Sequence, residues 1–292
     1  MTSSTISLTR ASGWRERLGD TRRTLLRNPL VLAGLVVVSL WLLIGLVGFR
    51  IAPNDPLQQD VRARLQPPSE TYRFGTDELG RDVFSRVLHG ARITIPAGIA
   101  VIIIGSTLGT LVGALAGYLG GIWDEILMRL SELFMAFPTI ILAMAITAAL
   151  GPDIRNAILA LVIVWWPSYA RLIRGLVLEI KTKEYVEGAR MVGASHTYIL
   201  FSTVLPNCIS PAIVLATLDI GNAILTFAGL SFLGLGPDPS SPEWGRMVSI
   251  GIDFFDQWWM WLYPGLSIAS LVLAFNFIGD GLRDIFDPRT KK

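Results

Sequence analysis

Glu184, Glu187 and Arg190 recur every three residues within 183–192, a spacing that gathers both signs of charge on one side of a short helix. Groups so arranged form ion pairs with a partner. Gly188 and Ala189 in the same segment are small enough for another backbone to approach closely, and Val186, Ala189 and Val192 or Met191 form a narrow apolar edge. Gly193 follows where a helix C-cap calls for glycine. The chemistry predicted here is recognition, with Glu187 offered to a basic groove. The plainer reading of a mixed-charge helix is a solvated face. A second polar pair, Asp219 and Asn222, stands three residues apart inside an apolar stretch, hence on one helix face. An acid in hydrocarbon faces a bundle interior or a water-filled cavity. This pair therefore either lines a path or forms a structural link to a neighbouring helix. Covalent chemistry has few candidates: His89 and His196 lie in polar stretches, Cys208 is the single cysteine, and no GxxxxGK[ST] loop occurs. No catalytic residue, metal site, disulfide or cofactor of this chain's own is predicted.

The elements that must position these residues are apolar. Of 292 residues 52% are hydrophobic and 16% charged, which excludes an ordinary soluble domain and predicts an all-α polytopic membrane protein. A net charge of +2 with basic residues at span ends gives no stripe for nucleic acid. Six transmembrane helices are expected, over 30–49, 93–116, 133–150 with a kink at Pro138, 156–170, 209–235 and 258–278. Residues 1–29 form an arginine-rich tail that stays cytoplasmic, and 30–49 reads as an uncleaved first span. Residues 50–92 form an outer loop, in which Asp77 and Glu78 after Thr76 suggest a capped surface helix carrying Val83, Phe84, Val87 and Leu88 on one side. Gly75, Gly80 and nearby arginines lack the lysine a phosphate loop needs. Residues 93–278 form a five-helix core containing the polar island 171–206, with a short loop holding Asp124, Glu125 and Arg129, and 279–292 return to the cytoplasm. Gly105, Gly109, Gly113 and Gly117 make a small-residue stripe for close helix packing or for sliding. Sixteen of the 25 basic residues fall on the side assigned to the cytoplasm, which favours N-in, C-in.

Glu187, Gly188, Ala189, Gly193 and Leu205-Pro206 resemble the EAA signature of ATP-binding-cassette (ABC) importer permeases, where a cytoplasmic coupling helix fits a cleft on an ATPase subunit. This chain has Gly188 where the family pattern has Ala, and Thr203 where it usually has Ile. The GTD, GRD and GAR clusters of 74–94, Pro242-Glu243-Trp244-Gly245 and the GDGLRD ending are similar to the dipeptide/oligopeptide (DppC/OppC-like) branch. The resemblance implies a type I importer permease fold in a bacterial or archaeal plasma (inner) membrane. It implies a heterodimer with a second permease, two ATP-binding cassette subunits that hold ATP and Mg, and an extracytoplasmic peptide-binding protein. Glu184, Glu187, Gly188, Ala189, Arg190 and Gly193 would then transmit force, with Asp219 and Asn222 as candidates for the translocation path and transport by alternating access. The branch also carries nickel chelates, glutathione and oligosaccharides. A secondary transporter or channel would need more intramembrane ionisable groups than Asp219, and an intramembrane hydrolase would need a nucleophile and base within the bilayer.

Overall fold

The computed structural model describes residues 28–286, and among them every regular element is a helix. Asn28 caps α1 (Pro29–Ile51): its Oδ1 accepts from the Leu30 N–H at 3.0 Å, and Pro29, with no N–H to satisfy, takes the first helical position. The chain then crosses a polar segment into α2 (Val83–Leu119), followed by α3 (Gly121–Met135), α4 (Thr139–Leu150), α5 (Ile154–Ile180), α6 (Glu184–Met191), α7 (His196–Phe232), α8 (Trp244–Asp253) and α9 (Trp259–Phe286). Five of these helices are long and apolar enough to cross a membrane. Pro138 precedes α4, and α3 and α4 meet at 91°; counted as one broken span they make six.

Several boundaries differ from the sequence-based expectation, each for a local reason. α2 starts ten residues before the expected span because Asp82, not Thr76, is its cap; Asp82 Oδ2 accepts from the Ser85 N–H at 3.2 Å. Asp77 is engaged instead by Arg81 at 2.6 Å and Arg86 at 3.5 Å, and Gly80 at φ +75° excludes a helix at that point. The expected surface helix is thus the buried head of α2, with Val83, Val87 and Leu88 inside the protein. The stretch bearing Asp124, Glu125 and Arg129 is helix α3, not a loop. α5 does not stop at Ala170. It runs on through Arg171 and Arg174 to Ile180, so the start of the polar island is the end of a span. The island's other end is likewise helical: α7 opens at His196 and passes through π-helical turns at Ile199–Val204 before Leu205-Pro206. Pro206 donates no N–H and its ring crowds the preceding turn, and the helix widens there instead of breaking.

The tightest packing joins α2 to α5 along the glycine stripe. A Cβ on Gly117 would approach the Arg174 carbonyl to 3.0 Å, and one on Gly109 or Gly113 would overlap the carbonyls of Trp166 and Ala170. The two backbones therefore touch, as small-residue stripes permit in membranes. At the opposite end from α6 a platform closes the bundle. Trp244, fully buried, donates its Nε1–H to the Val87 carbonyl at 3.0 Å and meets Trp41 edge-on at 4.8 Å. Arg86 reaches the carbonyls of Pro56, Ser240 and Ser241, and Trp259 Nε1 donates to Thr76 O at 3.0 Å.

Candidate functional site

α6 is short, and the chain supplies what a short helix lacks. Val186 is completely buried among Ile173, Val177, Ile199, Leu200 and Val204, with Ala189 and Ala194 against the same cluster. Gly193, at φ +81°, closes the helix: its N–H donates to Arg190 O at 3.0 Å and the Ala194 N–H to Ala189 O at 3.1 Å. This paired termination satisfies carbonyls that a helix end otherwise leaves open, and only glycine takes the left-handed geometry without strain.

Anchored on that side, α6 presents the other. Glu184, Glu187 and Arg190 are exposed, and a Cβ on Gly188 would find no atom within 4 Å. Met191 and Val192, expected on the apolar edge, are instead 84% exposed, Met191 closing the last turn of α6 and Val192 capping it. Tyr185 and Tyr198 are also more than half exposed. Sequence reasoning missed this apolar contribution, since an exposed apolar patch at a helix end has no periodicity to announce it; such patches mark interaction surfaces. The exposed Lys183–Glu179 pair at 3.3 Å contributes little by itself.

Three polar links join this surface to the spans. Arg174 donates from Nε and Nη2 to the two Asp124 carboxylate oxygens at 2.5 and 2.7 Å, tying α5 to α3. Lys181 Nζ donates to the Gly117 carbonyl at 2.7 Å, and Tyr118 Oη and His196 Nδ1 are 3.1 Å apart, tying both flanks of α6 to the end of α2. Bidentate arginine–carboxylate geometry is the most directional of these links. His89 lies far from this group, with Nδ1 2.9 Å from Ser85 O.

Asp219 and Asn222 lie elsewhere, midway along α7. The buried Tyr169 hydroxyl donates to Asp219 Oδ2 at 2.8 Å, linking α5 to α7, while Asn222 is exposed on the neighbouring turn. The two stay on one face of the helix, Asn222 and Trp165 both reaching the Asp219 carboxylate. One turn away a cavity of about 230 Å³ opens between α2 and α7, lined by Ser106, Thr107 and Thr110 opposite Ala212, Ile213 and Ala216. Those hydroxyls were not singled out from the sequence, where they read as ordinary members of an apolar helix. Among the described residues no three His, Cys, Asp or Glu side chains converge to hold a metal ion.

Comparison with known proteins agrees with this architecture. Residues 109–292 match the family model for the binding-protein-dependent transport system inner membrane component, and 17–68 match that for the N-terminal TM domain of oligopeptide transport permease C. The chain is 44% identical over 263 residues to the probable D,D-dipeptide transport system permease protein DdpC of Escherichia coli, covering 90% of this chain and 88% of the relative. It is 40% identical to the dipeptide transport system permease protein DppC of Alkalihalophilus pseudofirmus, over 97% of this chain and 92% of that one. A glutathione transport system permease protein, GsiD of Pectobacterium atrosepticum, is 42% identical over 95% of this chain and 92% of its own length. Among solved structures, an amino acid ABC transporter crystallised with histidines aligns with TM-score 0.50 at 16% identity, over 70% of this chain and 94% of that one, a likeness of fold. The chain belongs to the inner-membrane permease components of binding-protein-dependent ABC transport systems.

Proposed function

We propose that this permease moves short peptides inward by alternating access, with α6 as the helix through which ATP hydrolysis is coupled to movement of the spans. The observation that carries the reading is the two-sidedness of α6. Val186 is fully buried in the bundle while Glu187, Arg190, Met191 and Val192 project from it with nothing among the described residues to cover them. In this reading two ATP-binding cassette subunits hold ATP and Mg and receive α6 and its counterpart on a second permease, with the termini of this chain on the same, cytoplasmic side. A peptide-binding protein docks on the opposite platform. Closure of the ATPases pushes on α6; Asp124–Arg174, Gly117–Lys181 and Tyr118–His196 pass that displacement to α2, α3 and α5. Ser106, Thr107 and Thr110 line the cavity between α2 and α7; Asp219, held by Tyr169 one turn beyond it, would attract a peptide ammonium group entering there. The relatives named as dipeptide permeases support short peptides over sugars or metal chelates.

Glu187→Lys tests the coupling directly. The variant should assemble at wild-type levels, because Glu187 is exposed, yet uptake per ATP hydrolysed in proteoliposomes should fall at least about tenfold, the cost of one reversed charge pair at an interface. Undiminished transport would remove α6 from the coupling path.

A further inference from the structure

Where α1 ends, two arginines gather at the Phe49 ring. The guanidinium carbon of Arg92 is 4.4 Å from the ring centroid and that of Arg50 is 5.4 Å. Both arginines are exposed, and neither meets a carboxylate among the described residues.

Their depth follows from the two helices that carry them. α1 has 23 residues, close to the ~20 that cross a bilayer core, and Arg50 occupies its last turn. α2 has 37 residues, too many for the core alone; the part before Arg92 packs into the platform. Arg50 and Arg92 therefore mark one edge of the apolar layer, the edge remote from α6.

Immediately inside that edge an open groove of about 400 Å³ runs between α1 and α2. Leu42, Gly45 and Leu46 form one wall and Ala91, Ile95 and Pro96 the other, with Arg92 at the rim. Gly45 makes the hollow: a Cβ placed there would come no nearer than 3.7 Å to Ala91 O, so the space is that of an absent side chain. We propose that this groove binds one anionic phospholipid, an acyl chain lying along Gly45 and Pro96 and the phosphodiester held by Arg50 and Arg92. Two cations without a carboxylate to neutralise them select a headgroup of net negative charge over a zwitterionic one, and a groove that is apolar below its charged rim has the division of polarity of a lipid. A helix of a second subunit would have to bring acids to the same rim.

The test uses the intact transporter complex, exchanged into nanodiscs holding equal phosphatidylglycerol and phosphatidylcholine and then analysed by native mass spectrometry. Wild type should retain phosphatidylglycerol preferentially. Arg50→Gln and Arg92→Gln should each lower that retention about 5-fold and the pair roughly 30-fold, at unchanged melting temperature. Gly45→Leu, which fills the groove and leaves both arginines in place, should lower it as well. Equal retention of the two lipids, or retention untouched in the double variant, overturns the proposal. So does displacement by glycerol phosphate as effective as by lipid, which would make this a plain anion site. Disulfide capture of a cysteine placed at Leu46 by a partner subunit, with no lipid retained, would make it a subunit interface.

Discussion

At the scale of single residues, Gly188 and Glu243 carry opposite lessons. Gly188 departs from the alanine of the family pattern, and the structure places nothing against it. Gly188→Ala should therefore stabilise α6 by about 0.5–1 kcal/mol, seen as slower amide hydrogen exchange across Glu184–Met191; faster exchange would show that a Cβ is not accommodated. Glu243 is fully buried at the head of α8, accepting from the Arg246 N–H at 2.8 Å and from Thr94 Oγ1 at 3.0 Å. Burial is the largest influence and raises its carboxyl above the ordinary 4.5. An acid that binds its proton more tightly folded than unfolded gives stability that is complete below the ordinary value and declines as pH rises through the folded one. Glu243→Gln should flatten that decline in a thermal melt taken across pH, whereas Glu243→Ala should cost roughly 1–2 kcal/mol at any pH through the lost cap. A decline as steep in Glu243→Gln as in wild type would remove Glu243 as its source. From the sequence, Pro242-Glu243-Trp244-Gly245 was legible as a family likeness, but its burial was not, since what covers Glu243 comes from α2, about 150 positions away in the chain.

At the scale of elements, five of the six expected spans are present with displaced ends, while 133–150 is divided between α3 and α4 and 244–253 forms the helix α8 that the sequence did not announce. Hydrophobic periodicity locates what lies in lipid; it is blind to a helix that continues beyond the apolar layer, as α2, α5 and α7 do. The Arg174–Asp124 contact was hidden for that reason: Arg174 falls within the expected polar island and Asp124 within an expected loop, whereas both stand on helices. If the pair transmits motion between α5 and α3, Asp124→Arg and Arg174→Asp should each lower uptake per ATP several-fold, and the double exchange should restore most of it. Additive losses in that cycle would mean the two residues act separately.

For the whole molecule, the sequence conveyed the class of machine more readily than its cargo, because the proposed coupling helix is one contiguous segment while any path through the bundle draws on side chains from several helices. The complete complex with its cognate binding protein, assayed for ATPase stimulation by dipeptides, oligopeptides, nickel chelates and sugars, should respond to short peptides. A response confined to sugars or nickel would replace the substrate assignment and leave the coupling argument standing. One helix connects both faces on which such an assay depends. α2 is about 55 Å long, capped by Asp82 within the platform and bound at Gly117 and Tyr118 to the flanks of α6. Whatever shifts one end of this strut must do so against the other, so tighter engagement at the outer face and tighter engagement at α6 are two readings of a single coupling free energy. Each must alter the other's affinity by the same factor, and a titration on either side of the membrane reports on both.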